Sequence, residues 1–409
     1  MTGFTTLLRR LQHFSRSLLL CLIVGTIGLS SLTGCSLPQV SAEDRIFLNL
    51  SVDFLDEYRL PKIEFEGTPV GGLSGIAYDR PRNQFYAVSD DRSDLAPARF
   101  YTFKLILSSP EVTSEGGNAL EPIGIEAVEI EKVTTLLDQA GTPYPTGTVD
   151  FEGIARAPQQ TVFIASEGVS SQGIAPLIEE FDLETGQWQR QLPIPERYLP
   201  QTTEGQVSGV QDNLGFEALT INADGSTGNP LEPFRVFAAT ESALAQDLPS
   251  PETTTEGISL PIRIQHYLVG DDLPTLLAEH LYLAEPLPQD TERGGLSDLL
   301  TLDQAGHFLS LERSFALSTG FSAQIFQIAT GGATDISGIT SLGGNLTGIA
   351  PVQKRLLLDL SNLEIPLDNL EGMTLGPRLS DGTQSLVLLS DDNFNDLQTT
   401  QLLLFRLSR

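Results

Sequence analysis

An all-β fold is predicted by three features of this 409-residue sequence. One short phrase recurs five times, and further short apolar runs rich in β-branched and aromatic residues follow each copy. The 37 glycines and 25 prolines supply turns between these runs. Apolar runs bounded by turn formers are typical of β-strands. Because each repeat has room for four antiparallel strands, the sequence predicts a β-propeller.

The repeated phrase marks the first strand of each predicted blade. Its copies are Leu73–Ala77, Phe151–Ala155, Phe216–Thr220, Leu296–Leu300 and Leu370–Thr374. After a turn, each copy is followed by an apolar run that ends in an acid. These runs are Phe85–Asp90, Val162–Glu167, Val236–Glu241, Phe308–Glu312 and Leu386–Asp391. Together the phrase and the run predict a hairpin at the inner side of each blade.

The number of blades follows from the strands left over at the two ends of the domain. Only one further strand, Gln401–Arg406, follows the last hairpin, and a spare strand lies in Ile46–Leu60. An N-terminal strand that completes the last blade would close the ring and cover two free sheet edges. We therefore expect five blades. Six blades remain an alternative, because Thr347–Ala350 partly echoes the phrase, and two β-sandwiches would not explain five copies of it.

Residues 1–34 are predicted to be a lipoprotein signal peptide. Arg9, Arg10 and Arg16 precede an apolar run, Leu18–Leu29, that is too short for a comfortable transmembrane helix. The segment ends in Leu32–Cys35, which resembles the bacterial lipoprotein cleavage box. Cys35 would then carry lipid and residues 35–45 would form a tether to the domain at 46–409. The alternative is an ordinary signal peptide that happens to contain a cysteine.

The composition restricts the location and the partners of the domain. The whole chain has only two cysteines: Cys21, which lies in the predicted signal peptide, and Cys35, which would carry lipid. The mature domain would therefore have no disulfide and no thiol chemistry. A net charge of −29 makes nucleic acid an unsuitable partner, because neutralising phosphates needs a basic face. We expect a monomer outside the cytoplasm, attached through Cys35 to a bacterial membrane on the periplasmic or outer-membrane face.

Several of the repeated phrases resemble those of the phytase-like family, also described as esterase-like activity of phytase. The resemblance rests on Gly71–Ile76, Asp150–Ile154, Asn213–Leu219, Asp368–Met373 and Ser390–Phe394. It extends from about residue 60 to the C-terminus, so it covers essentially the whole domain. The resemblance implies a phytase-like propeller, whereas the phrases themselves specify no reaction.

The phrase also predicts an acidic ring, because the first strands of a propeller line its channel. Equivalent positions carry Ser74, Glu152, Glu217, Ser297 and Glu371. The acidic ends of the second strands would lie beside them, at Asp90, Glu167, Glu241, Glu312 and Asp391, with Asp91, Asp298 and Asp392 adjacent. Carboxylates so close together raise one another's pKa unless a cation intervenes.

Ca²⁺ is the cofactor that such a ring would suit, since it takes six to eight oxygen ligands. The expected metal ligands are Asp90, Asp91, Glu167, Glu241, Glu312, Asp391 and Asp392. The equally weighted alternative is structural: acids at strand ends accept hydrogen bonds from backbone N–H groups and lock neighbouring blades together.

Hydrolysis of a small phosphoester is the reaction that a Ca²⁺ site of this kind would support. Glu152, Glu217 and Glu371 are the expected catalytic residues, and Arg92 and Arg313 are candidates to bind the phosphate. The alternative for each arginine is an ordinary ion pair, with Asp91 or with Glu312. Phytate is not the expected substrate, because the sequence has no basic cluster for six phosphates.

Serine-esterase chemistry is not expected, because Ser74 lacks both a nucleophile-elbow sequence and a histidine placed to act as base. A different class of function is a propeller without catalysis that binds a ligand or protein at the cell envelope. Its contact surfaces would be the polar stretches Ser108–Pro122 and Gln201–Asn213.

Overall fold

The computed structural model describes residues 46–108, 123–222, 232–249, 259–287, 290–343 and 345–409. The predicted signal peptide and tether lie outside these residues, as does nearly all of the stretch Ser108–Pro122. Within the described ranges, no helix is long and apolar enough to cross a membrane. Five four-stranded antiparallel sheets and two short hairpins account for the strands there.

The strands follow the chain in the order that the repeats predict. The chain enters through β1 (Ser51–Arg59) and a hairpin of β2 (Ile63–Phe65) and β3 (Thr68–Val70). Blade 1 contains β4 (Leu73–Asp79), β5 (Gln84–Ser89), β6 (Arg99–Leu107) and β7 (Ile125–Thr135). Blade 2 contains β8 (Phe151–Ala157), β9 (Thr161–Ser166), β10 (Leu177–Asp182) and β11 (Trp188–Gln191). A second hairpin of β12 (Gln201–Thr203) and β13 (Gln206–Ser208) follows.

The second half of the domain repeats this plan. Blade 3 contains β14 (Phe216–Asn222), β15 (Phe234–Thr240), β16 (Pro261–Val269) and β17 (Thr275–Leu283). Blade 4 contains β18 (Thr291–Thr301), β19 (His307–Ala316), β20 (Gly320–Ala329) and β21 (Gln353–Asp359). Blade 5 contains β22 (Asn369–Arg378), β23 (Gln384–Asp391) and β24 (Gln401–Ser408), to which β1 is added. Short 3-10 helices lie in the connections at Ser170–Gln172, Glu196–Tyr198, Ala245–Asp247 and Leu360–Leu363.

The predicted five-bladed closure is confirmed. Strand β1 pairs antiparallel with β24, from Ser51 opposite Ser408 to Arg59 opposite Gln401, and so becomes the outermost strand of blade 5. Each inner strand contacts the inner strand of the next blade, and β22 of blade 5 contacts β4 of blade 1. The echo at Thr347–Ala350 lies in the connection between β20 and β21, so it does not begin a sixth blade.

The core of the domain is divided among the five interfaces between blades. Each interface contains a buried apolar cluster made of residues from both neighbours. Between blades 2 and 3, for example, the rings of Phe163 and Phe234 meet edge to face with centroids 6.1 Å apart. Burying one such side chain contributes about 1.5–3 kcal/mol, so the interfaces hold the ring together.

Every inner strand has a β-bulge at the repeated phrase. The registers shift between Leu73 and Gly75, Phe151 and Ile154, Phe216 and Ala218, Leu296 and Asp298, and Leu370 and Gly372. A bulge leaves its extra residue out of the ladder and re-aims that side chain. The bulged positions include Ser74, Glu152, Glu217, Ser297 and Glu371, the residues of the predicted ring.

The glycines of the phrase allow the inner strands to approach one another. A Cβ atom on Gly153 would lie 2.3 Å from the carbonyl oxygen of Glu217, and one on Gly75 would lie 2.3 Å from that of Glu152. Both distances are far shorter than a carbon–oxygen contact. The glycine that follows the ring residue in blades 1 and 2 is therefore a packing requirement of the channel wall.

We expect Gly153→Ala to lower the free energy of unfolding by about 1–3 kcal/mol, since the added methyl group must push the Glu217 backbone away. Gly331→Ala is the matched control, because a Cβ atom there would meet no heavy atom within 4 Å. Urea unfolding of both variants measures the difference. Equal stability of the two would contradict the close approach of β8 and β14.

Candidate functional site

Eight carboxyl groups gather where the inner strands begin, and we call this region the acidic mouth. Three belong to bulged residues of the inner strands, four follow or end the second strands, and one, Asp150, immediately precedes β8. Their mutual electrostatic effects show that they lie together. The members are Asp90, Asp150, Glu152, Glu167, Glu217, Glu241, Glu371 and Asp391. All are buried except Asp90, which is half-buried.

Arg313 lies among these acids and is the buried counter-ion on one side of the mouth. Its Nη2 atom is 2.7 Å from Glu371 Oε1, 3.3 Å from Glu241 Oε1 and 3.9 Å from Glu217 Oε1. The residue is only 8% exposed. Its expected ion pair with Glu312 does not form; Arg313 instead holds three glutamates from two other blades.

The strand registers explain why an arginine stands there. In blade 4, Leu296 pairs with Glu312, whereas the equivalent Leu73 of blade 1 pairs with Ser89. Arg313 is therefore the residue that corresponds to Asp90, and likewise to Glu167, Glu241 and Asp391. One acid of the repeat has been replaced by a base.

The expectation that Glu312 belongs to the ring is wrong by one residue. Its carboxylate accepts hydrogen bonds from Tyr282 Oη, Lys354 Nζ and the backbone N–H of Glu285, on the blade 3 side of the fourth sheet. The shift arises because β18 and β19 continue past the mouth as a long hairpin. In the other blades the second strand ends with its apolar run. In blade 4 the strand β19 continues beyond this run, so the acid that follows the run does not mark the end of the strand.

Two further acids expected as metal ligands, Asp91 and Asp392, fasten loops at the mouth. Asp91 accepts hydrogen bonds from three consecutive backbone N–H groups, at residues 94–96, and its Oδ2 atom is 2.6 Å from Arg99 Nη1. Asp392 accepts from the N–H of Gly72 at 2.9 Å and lies 3.0 Å from Lys62 Nζ. Asp91 and Asp392 thus fit the alternative of a structural role, in which the acids accept hydrogen bonds from backbone N–H groups.

Asp298 also has a structural environment. It occupies the position that Gly75, Gly153 and Gly372 take in other blades, and its oxygens accept hydrogen bonds from the N–H groups of Leu299 and Met373, both at 2.7 Å. Burial raises its pKa well above 3.8. It therefore links blade 4 to blade 5 and stands outside the acidic mouth.

Burial and mutual repulsion favour the protonated forms of the carboxyl groups in the mouth. Burial, followed by repulsion from neighbouring acids, raises the pKa of five carboxyl groups well above the ordinary value. These are Asp90, Glu152, Glu167, Glu217 and Asp391. Burial also raises the pKa of Glu371, against the opposing charge of Arg313.

One corner of the mouth is suited to a metal ion. Carboxylate oxygens of Asp150, Glu152 and Glu167 all lie within 4.8 Å of one another. Glu167 Oε2 and the nearby Ser74 Oγ and Asp90 Oδ1 are buried without a hydrogen-bond partner among the described residues. Unpaired buried oxygens of this kind cost free energy unless a proton or a cation satisfies them. The donor set, entirely oxygen, fits a hard cation such as Ca²⁺.

A second acidic group, Glu167, Glu217 and Glu241, is equally compact, but Arg313 already neutralises part of it. The corner at Asp150 has a cation only at its rim. There Arg92 Nη2 contacts the carboxylate of Asp150 and is 3.1 Å from Asn213 Oδ1, and 38% of the Arg92 side chain is exposed. Arg92 thus pairs with Asp150 and not with Asp91.

Sequence reasoning missed Asp150 and Asn369 as parts of the mouth. Asp150 immediately precedes β8 and Asn369 is the first residue of β22, at the position where blades 1 and 3 have Gly72 and Gly215. Asn369 Nδ2 donates a hydrogen bond to Glu371 Oε1 at 2.8 Å. The signal was a polar residue at a position where other copies of the repeat carry glycine.

No histidine of the described residues lies in the mouth. His266 and His280 are in β16 and β17, toward the outside of blade 3, and burial lowers the pKa of both. His307 contacts Asp303 and the carbonyl of Ile46. Ser74 therefore has no base beside it, as the sequence predicted.

A comparison with known families identifies the family of this propeller. Residues 68–394 match the family described as Phytase-like, esterase-like activity of phytase. The chain belongs to the phytase-like family. No curated protein matches this phytase-like chain.

Solved structures resemble the phytase-like propeller only distantly. The catalytic domain of Coprinopsis cinerea GH62 α-L-arabinofuranosidase is 8% identical, with a TM-score of 0.38, and the match covers 87% of this chain and 97% of that one. A DUF4221 family member from Bacteroides vulgatus is 11% identical, with a TM-score of 0.35 and coverage of 88% and 99%. The N-terminal domain of Nup159 is 12% identical, with a TM-score of 0.35 and coverage of 88% and 96%.

We expect Arg313→Met to lower the free energy of unfolding at pH 7.5 by about 3–5 kcal/mol, because three buried glutamates lose their cation. Arg59→Met is the control; it removes an exposed pair with Glu57, worth about 0–1 kcal/mol. Denaturant unfolding measures both.

The deficit of Arg313→Met should shrink in acid. Burial raises the pKa of Glu217 above its ordinary 4.5, so its protonated form contributes stability that is complete below pH 4.5. That contribution is lost as the pH rises through the raised pKa, where the missing cation matters most. A deficit that is constant from pH 4.5 to 8 would contradict the electrostatic role of Arg313.

Proposed function

We propose that the acidic mouth of this phytase-like propeller binds Ca²⁺ and hydrolyses a small phosphoester. The observation that carries the proposal is the corner of Asp150, Glu152 and Glu167, with its converging buried oxygens. Asp90 would add a fourth carboxylate from blade 1, since its Oδ1 atom has no hydrogen-bond partner among the described residues. A cation would replace the protons that these groups otherwise retain.

The three glutamates proposed as catalytic have different surroundings and therefore different roles. Glu152 belongs to the corner and would hold the cation. Burial and the nearby Glu371 raise the pKa of Glu217 well above 4.5, which favours the protonated form that would donate to a leaving-group oxygen. Glu371 is fixed by Arg313 and by Asn369, and so positions the counter-ion.

Arg92 is better placed than Arg313 to meet a substrate phosphate. Arg92 is partly exposed at the rim and uses one nitrogen for Asp150 and Asn213, which leaves other N–H groups of its planar fork available. Arg313 is enclosed by glutamates, so we assign it the role of internal counter-ion. Bound Ca²⁺ would itself neutralise phosphate charge and lower the pKa of a water molecule.

We further propose that the protein is a lipoprotein, anchored through Cys35 to a bacterial membrane outside the cytoplasm. The proposal is supported by the basic start, the apolar run and Leu32–Cys35 in the sequence. The tether at 35–45 would lead directly to β1, the outermost strand of blade 5.

Ca²⁺ added to protein freed of metal with EGTA is expected to raise the thermal midpoint, because a ligand that binds only the folded state stabilises it. The shift should be larger at pH 8 than at pH 5, since protons compete for the same oxygens. Glu167→Gln should remove the shift. Glu131→Gln should retain it, because Glu131 is exposed and pairs with Lys104 on the outer side of blade 1. No shift in the unmodified protein would refute metal binding.

The same proteins test turnover, with p-nitrophenyl phosphate and bis(p-nitrophenyl) phosphate as substrates. We expect Ca²⁺-dependent hydrolysis that falls at least about 10²-fold in Glu152→Gln and Glu371→Gln. Unchanged activity in both folded variants would refute the site assignment. A Ca²⁺-induced stabilisation without turnover of any phosphoester would favour the non-enzymatic alternative, in which the exposed hairpin Gln201–Ser208 contacts a partner.

Cys35→Ser tests the anchor. Expressed in a bacterium, the unmodified protein should sediment with membranes and incorporate labelled fatty acid, whereas the variant should not, because lipid is attached through the thiol. Cys21→Ser is the control and should leave labelling intact. Equal labelling of all three proteins would contradict the lipoprotein proposal.

A further inference from the structure

A cavity of about 830 Å³ lies where the inner strands end, at the other end of the channel from the acidic mouth. We call it the rear cavity. All five blades line it, through the last residues of their inner strands and the turns that follow. Its volume is within the range of small-molecule sites, about 300–1,000 Å³.

The inner end of the rear cavity is apolar. Each inner strand contributes one large apolar residue, two positions after its ring residue, and none is more than 3% exposed. These residues are Ile76, Ile154, Leu219, Leu299 and Met373. Along every inner strand they therefore stand between the acidic mouth and the rear cavity, which makes the two sites chemically separate.

The wall of the rear cavity is cationic, in contrast to the protein as a whole. Arg80, Arg156 and Arg235 line it, against the two acids Asp79 and Glu232. Asp79 is already neutralised: its Oδ2 atom is 2.9 Å from Arg82 Nη1 and 3.2 Å from Arg156 Nε. In a chain of net charge −29, this is a local excess of positive charge.

Two of these arginines are available to a ligand. Arg80 and Arg235 are exposed, and neither side chain makes a hydrogen bond or ion pair with the described residues. Hydroxyl and amide groups also line the cavity, from Thr301, Thr374 and Gln160 among others. Guanidinium groups bind phosphate and carboxylate through paired N–H bonds, and hydroxyl and amide groups suit a sugar or polyol.

We propose that the rear cavity is a binding site for a small polyhydroxylated anion, of the size of a sugar phosphate or sugar acid. The anionic group meets one of the exposed arginines, Arg80 or Arg235, and the hydroxylated body meets the threonine and glutamine side chains that line the cavity. The site is independent of the acidic mouth, because the apolar residues of the inner strands lie between them.

Isothermal titration calorimetry of the full chain tests the site, with glucose 6-phosphate and gluconate as probes. Glucose and inorganic phosphate are the comparison ligands, each lacking one of the two required features. We expect at least one of the two anionic sugars to bind more tightly than both comparison ligands. The double variant Arg80→Gln, Arg235→Gln should bind that sugar at least about tenfold more weakly, because a charged contact is lost.

Two controls separate this site from the rest of the molecule. Arg59→Gln removes an exposed arginine of β1 and should leave affinity unchanged. Glu167→Gln alters the acidic mouth and should also leave the affinity for the anionic sugar unchanged. This expectation holds whether or not the acidic mouth hydrolyses a phosphoester. The proposal is overturned if no probe binds at about 10 mM, if glucose or inorganic phosphate binds equally well, or if the double variant binds normally.

Discussion

Five inner strands meet around one axis, and the room left between them decides much of the structure. At Gly75 and Gly153 a Cβ atom would collide with the next strand's carbonyl oxygen. The residue before each glycine is left out of the ladder by a bulge, so its side chain is re-aimed. The same crowding that excludes a side chain at one position therefore concentrates carboxyl groups at the position before it.

Concentrating acids in a buried channel creates an electrostatic problem with three solutions, and this protein uses each in a different place. A raised pKa favours the neutral form of groups such as Asp391, backbone N–H groups bind Asp91, and an internal guanidinium binds Glu371. At the corner of Asp150 and Glu167, these three kinds of interaction leave some buried oxygens without a partner, among them Glu167 Oε2. The ring is thus asymmetric, with the Arg313 guanidinium on one side and a corner of unpaired carboxyl oxygens on the other.

The sequence predicted the repeats well because a recurring phrase reports directly on recurring geometry. It placed Glu152, Glu217 and Glu371 together correctly, since each follows a large apolar residue at the same position of the repeated phrase. It misplaced Glu312 because an acid after an apolar run marks a strand end only when the strand stops there. The sequence does not predict the rear cavity for a related reason: Arg80 lies in a turn of blade 1, Arg156 in β8 and Arg235 in β15, so its arginines share no motif and only the folded ring brings them together.

The pairing of β1 with β24 makes the two ends of the domain neighbours in one sheet. During synthesis the first strand emerges early and its partner emerges last, so the ring stays open until nearly the whole chain has left the ribosome. Contacts between such distant parts of a chain form slowly, and open sheet edges favour aggregation meanwhile. A chain that ends before Gln401 would therefore leave the newly made protein exposed to proteases and to association with other copies.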